Sequence, residues 1–201
     1  MKEISNIKTF LEHFAKELKA YGIITNDAGS VSLCKEGIVY IVYQDEIFTI
    51  ELASTMESQV PFYELHKLLY SSLPSTGCII HAVSPWVLSS SIAGKNVPAM
   101  LDDSAQIVGV STKVFSHLTA NKLLYKVRGR SAVLLKDSGA LCFSSDSNDA
   151  LAVCRILEKN CQCFITAKIL RGKKLKYFEA LRLRQLYKNS YSKESGLISQ
   201  F

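Results

Sequence analysis

Long apolar runs are missing from this 201-residue chain: no stretch approaches the roughly 18 consecutive apolar residues of a membrane-spanning helix. No span is therefore expected. The N-terminal segment MKEISNIKTFLEHFAKEL is broken by acids and has no apolar core, so it reads as an amphipathic helix and not as an export signal. That points to a cytoplasmic protein. C-x-x-C spacing is absent although six cysteines (Cys34, Cys78, Cys142, Cys154, Cys161, Cys163) are present, which disfavours zinc fingers and dithiol redox chemistry. Lying within apolar runs, they read as reduced, small hydrophobes, with Cys161 and Cys163 pointing to different sides of one helix. The glycine spacing of a phosphate loop is also lacking, since Lys95 in Ala-Gly-Lys-Asn-Val follows a lone glycine. Repeats, low-complexity tracts and linkers do not occur.

What is present suits one globular domain over residues 1–201: 48% of residues are apolar and 21% charged. The net charge of +6 is unevenly placed. Residues 166–193 hold nine Lys/Arg against the single acid Glu179, whereas residues 1–165 hold fifteen against sixteen acids. The body is neutral and the tail is basic. Tyr177, Tyr187 and Tyr191 interleave with that charge, so three readings stand: a solvated helix face, a surface for an anionic partner such as nucleic acid or membrane, and an oligomer contact.

Periodicity gives the elements. Ile7, Phe10, Leu11, Phe14, Leu18 and Tyr21 recur at helical spacing over residues 5–21, with Gly22 as the stop. After a turn at Ala28-Gly29, the run Gly29-Ser30-Val31-Ser32 enters a strand. Residues 38–42 and 47–50 alternate as a hairpin joined at Gln44-Asp45-Glu46. The stretch 57–109 organises the rest. It reads as a helix with Phe62, His66, Leu69 and Tyr70 on one face, a turn at Leu73-Pro74-Ser75, and a buried strand Gly77-Cys78-Ile79-Ile80. His81 stands at the end of that strand, and a helix opens at Ser84-Pro85-Trp86. Residues 123–127, 132–135 and 141–143 look like strands. Helices over 148–171, with Asn148 as N-cap, and over 177–188 complete the chain.

In order along the chain, Gly29-Ser30-Val31-Ser32, Glu64-Leu65-His66 through Pro74, Ile79-Ile80-His81-Ala82-Val83-Ser84-Pro85, Leu134-Leu135-Lys136-Asp137-Ser138-Gly139 and Leu157-Glu158 resemble the motifs of the class II aldolase/adducin family. The resemblance implies an α/β fold, a layered αβα domain whose central, mostly antiparallel sheet is flanked by helices. It also implies a homo-oligomer, a tetramer by analogy, and metal-dependent sugar-phosphate chemistry built on a His-x-His pair and a later histidine before glycine.

The chemistry-bearing positions depart from that pattern. Only His81 matches a metal ligand; Val83 stands at the second ligand position and Ser138 at the third. Phe62 stands at the catalytic carboxylate and Ser30 at the phosphate-binding asparagine. An aliphatic side chain cannot ligate, and a hydroxyl is a poor partner to imidazole. The expectation is therefore no cofactor, and a cleft around Ser30, Phe62, His81 and Ser138 kept for binding or assembly. The competing reading is a divergent lyase or isomerase acting on a small phosphorylated sugar, with a rebuilt Zn2+ or other divalent-metal site that uses His81 with His66, Glu64, Asp102, Asp103 or Asp137, and with Tyr70 as a further cleft candidate. A weaker one is an anion- or nucleic-acid-binding module acting through the basic helix. His13 and His117 read as structural or surface residues.

Overall fold

The computed structural model describes residues 2–55, 58–116 and 120–198. Its centre is an eight-stranded sheet in the order β3-β2-β1-β4-β8-β7-β6-β5. The strands are β1 (Ser30–Lys35), β2 (Ile38–Tyr43), β3 (Glu46–Glu51), β4 (Cys78–Ala82), β5 (Val97–Pro98), β6 (Ser111–Phe115), β7 (Ala132–Leu135) and β8 (Gly139–Ser144). Every neighbouring pair is antiparallel except β6–β7. The αβα expectation of a mostly antiparallel sheet between helices holds.

Among the described residues, α1 (Lys2–Ala20), α2 (Tyr63–Ser72), α3 (Pro85–Ile92), α4 (Ala120–Val127) and α5 (Ser147–Leu170) cover the two faces, while α6 (Tyr177–Ile198) packs its Ala180 against Ala99 and Ala105. A five-residue π-helix, Ser104–Val108, lies between β5 and β6. On one face Leu11, Phe14 and Leu18 of α1, Val87 of α3 and Val153, Cys154 and Leu157 of α5 pack against Val31, Ile80 and Cys142. On the other, Tyr63, Leu69 and Tyr70 of α2 and Leu123 and Val127 of α4 pack against Ile41, Ile79, Val133 and Leu141. β4 runs through the middle and is buried at all five residues. A strand covered on both sides reads as a continuous apolar run, which is why Cys78-Ile79-Ile80 carries no alternation.

Several boundaries differ from the sequence reading. Residues 123–127 form most of α4, not a strand: Leu123 and Val127, one turn apart, are buried while Tyr125 is exposed. A five-residue segment with four apolar residues fits either period, and here the helical face wins. β4 extends through His81 to Ala82, so the histidine is a strand residue with a ladder partner. The N-cap of α5 is Asp146, whose carboxylate accepts the Asp149 amide at 2.9 Å, and not Asn148. α6 continues past residue 188, and β5, β6 and the π-helix were not expected. Glu57, His117 and the side chain of Tyr191 lie outside the described residues; His13 is exposed.

Candidate functional site

Strand pairing brings the site together. Ser30 of β1 lies opposite His81 of β4, and Ser32 lies opposite Ile79. With period-two alternation, Ser30, Ser32, Ile79 and His81 all face α2. Two glycines bring backbone against this corner. Gly29 (φ +84°) precedes Ser30, and a Cβ there would sit 2.8 Å from the His81 carbonyl oxygen. Gly139 (φ +86°) follows Ser138, and a Cβ there would sit 2.1 Å from the Ala82 carbonyl oxygen. Any side chain at residue 139 would thus push the β7–β8 turn off β4.

That close approach sets the state of His81. Its Nε2 lies 2.5 Å from the Ser138 carbonyl oxygen. A carbonyl only accepts, so Nε2 carries the proton and its lone pair is gone. The Phe62 ring stands edge-on to the imidazole, with centroids 4.8 Å apart at 74°. Phe62 caps the start of α2 in the left-handed conformation (φ 63°), where an aromatic residue is strained. His81 is 5% exposed. Burial lowers its pKa, against the opposing pull of the Ser138 carbonyl.

One layer deeper, Ser32 is a hub. Its hydroxyl lies 2.8 Å from His66 Nδ1 and 2.8 Å from the Tyr70 hydroxyl, while Tyr70 donates to the Ser32 carbonyl oxygen at 2.9 Å. With the Tyr70 proton so committed, Ser32 donates to the Tyr70 oxygen and His66 Nδ1–H donates to Ser32. His66 Nε2 is then a bare lone pair, and it has no partner among the described residues; nor has the Ser30 hydroxyl. Burial, and secondarily the neighbouring His81, hold the His66 pKa down to about 3. Burial likewise drives the Tyr70 phenol up. His66 and Tyr70 therefore work as a neutral, packed helix face. The alternation Gly29-Ser30-Val31-Ser32 places both serines on one face, and that signal could have singled out Ser32, which the sequence reading passed over.

A second polar node flanks the first. Ser84 holds the N-cap position of α3, yet its hydroxyl donates to Glu158 at 2.6 Å instead of capping. The Glu158 carboxylate also accepts from the amides of Trp86 (3.0 Å) and Val87 (2.8 Å). A carboxylate on α5 thus satisfies the positive end of α3. At the other end of α3, the Ser91 hydroxyl donates to the Leu88 carbonyl and accepts from Gly139 N–H.

The architecture and these motifs agree with known proteins. Residues 58–165 match the model of the family described as Class II Aldolase and Adducin N-terminal domain. The chain belongs to this family. Among solved structures, an L-fuculose 1-phosphate aldolase superposes with a TM-score of 0.78 at 18% identity, over 92% of this chain and 97% of that one. YgbL from Klebsiella pneumoniae gives 0.75 at 18% identity over 90% and 98%. L-fuculose-1-phosphate aldolase from Thermus thermophilus gives 0.67 at 18% over 81% and 96%. At such identities the likeness is one of fold. No curated protein matches by sequence.

The residues present do not fit the divalent metal that the family resemblance implies. His81 has spent Nε2 on a carbonyl, and Val83 and Ser138 offer no strong donor. Among the described residues, no three His, Cys, Asp or Glu side chains come together to hold a metal ion. The carboxylates of the rebuilt-site reading do not join His81 and His66 in a ligand cluster. Glu64, Asp102 and Asp137 are exposed, and Asp103 caps the π-helix through Ser104 N and pairs with Lys159 at 3.0 Å. Of the named residues, the fold gathers Ser30, Phe62, His66, Tyr70, His81 and Ser138.

Proposed function

We propose that this chain uses the class II aldolase fold for binding or assembly, without the metal-dependent sugar-phosphate chemistry that the resemblance implies. One observation supports the reading: His81 Nε2–H is tied to the Ser138 carbonyl with the Phe62 ring edge-on to the imidazole, so that nitrogen has no lone pair left to ligate. We also infer a single domain over residues 1–201, a cytoplasmic setting and a homo-oligomer, a tetramer by analogy with the family. No described helix is long and apolar enough to cross a bilayer.

The test is elemental mass spectrometry on untagged protein purified without chelator. The expected result is no stoichiometric zinc, manganese or iron, and none retained after zinc is added and dialysed away. About one ion per chain, lost in His81→Ala, would overturn the reading. Light scattering at micromolar protein separately tests the oligomer, and a monomer would sink it.

A further inference from the structure

The corner where α5 meets α6 is unlike the rest of the surface. Of the nine large apolar side chains exposed among the described residues, Ile169, Leu170, Tyr177 and Phe178 lie within ten residues there, each 61–82% exposed. Interleaved with them are Lys168, Arg171, Lys173, Lys174 and Lys176, all exposed. No acid occurs between Glu158, which is committed to α3, and Glu179, which follows Phe178. The chain is firmly held at this corner. Arg171 ends α5 in the left-handed conformation, Gly172 N–H bonds the Ala167 carbonyl at 2.8 Å, and Leu175 N–H bonds the Ala99 carbonyl at 3.2 Å. Beside it lies a groove of about 340 Å³ whose wall includes Lys95, Asn96, Lys168 and Lys174 and no acid.

We propose that this corner docks on an anionic membrane surface, with Ile169, Leu170 and Phe178 entering the interface and the lysine-lined groove receiving a lipid phosphate or carboxylate. Exposed aliphatic and aromatic side chains ringed by cations have the chemistry of an interfacial anchor: apolar area supplies partitioning, and charge supplies attraction to acidic headgroups. The alternatives fit less well. A two-fold contact between copies would set five cations against the same five, which is repulsive. Nucleic acid would use the cations and could stack on Tyr177 or Phe178, but it leaves Ile169 and Leu170 without a role. This inference does not depend on the fate of the His81 site.

Co-sedimentation of the full chain with phosphatidylcholine vesicles, with and without phosphatidylserine, tests it. Binding is expected only with phosphatidylserine and should weaken as salt rises. Lys168→Gln and Lys174→Gln should each weaken it about fivefold. Ile169→Ser with Leu170→Ser should abolish retention while leaving the melting temperature unchanged, since these side chains pack on little. Equal binding to neutral vesicles, no binding to either, or tighter binding to a single-stranded oligonucleotide than to the acidic vesicles would overturn it. So would a change of oligomeric state in the Ile169/Leu170 variant.

Discussion

The two polar nodes around β4 are built from similar materials and end in opposite conditions. At the α3 node Glu158 meets three donors, and every partner is a group that needs one. At the α2 node, Ser32, His66 and Tyr70 close a compact network but leave His66 Nε2 and the Ser30 hydroxyl unpartnered, with Phe62 held strained above His81. The first node positions helices and would do so whatever the chain binds. The second gathers polar groups around His81 without satisfying all of them. Buried polar groups in one fold thus differ in how fully their hydrogen bonds are satisfied, and the unsatisfied ones at the α2 node lie beside His81.

The contrast can be broken or sharpened by measurement. The largest effect should come from acid. The folded His66 pKa of about 3 lies below the ordinary histidine value, so from about pH 6.5 downward the unfolded chain takes up a proton that the native one refuses. Stability should therefore fall with falling pH by up to about 1.4 kcal/mol per unit from this residue alone. Urea melts of wild type and His66→Gln at neutral pH and near pH 4 check it; equal slopes for the two proteins would contradict it. Glu158→Ala should cost about 3 kcal/mol by orphaning the Ser84 hydroxyl and two α3 amides. Ser32→Ala should cost about 2 kcal/mol, because His66 and Tyr70 both lose a buried partner. The smallest change in stability, within about 1 kcal/mol, is expected for Phe62→Ala, where lost contact is offset by strain. Its signature is spectroscopic: water reaching His81 should raise that imidazole's pKa toward the ordinary value, as followed by NMR titration.

Much of the scaffold was legible because its signals are local. The i, i+4 spacing of His66 and Tyr70, the proline at the first position of α3 and the serine alternation in β1 each fix a side chain's direction from its neighbours in sequence. The Ile79–Pro85 motif marked the strand that carries His81 to α2, and Phe62, Val83 and Ser138 stand in the sequence where the resemblance implies polar donors. What could not be read was the bond from His81 to the Ser138 carbonyl. It depends on a left-handed Asp137 (φ 62°), a side-chain-free Gly139 and the pairing of β4 with β8, which meet only in three dimensions. Residues 123–127 failed for a plainer reason, since four apolar residues around Lys126 satisfy two periods. In the basic tail, charge counting treated nine cations alike, whereas Arg184 is 9% exposed and bound inside.

Arg184 donates to the carbonyls of Gln106 and Ile107, at the C-terminal end of the π-helix, and to the Ser131 hydroxyl at 3.2 Å. Among the described residues it has no acid partner. Its grip is that of a sheltered cation on peptide dipoles, which dissolved ions reach poorly. The exposed cations of the segment that leads into the same helix are fully open to those ions. Rising ionic strength should then silence one end of α6 while leaving the other fastened, so that hydrogen exchange around Arg184 stays slow in brine that has stripped the corner of its long-range attraction.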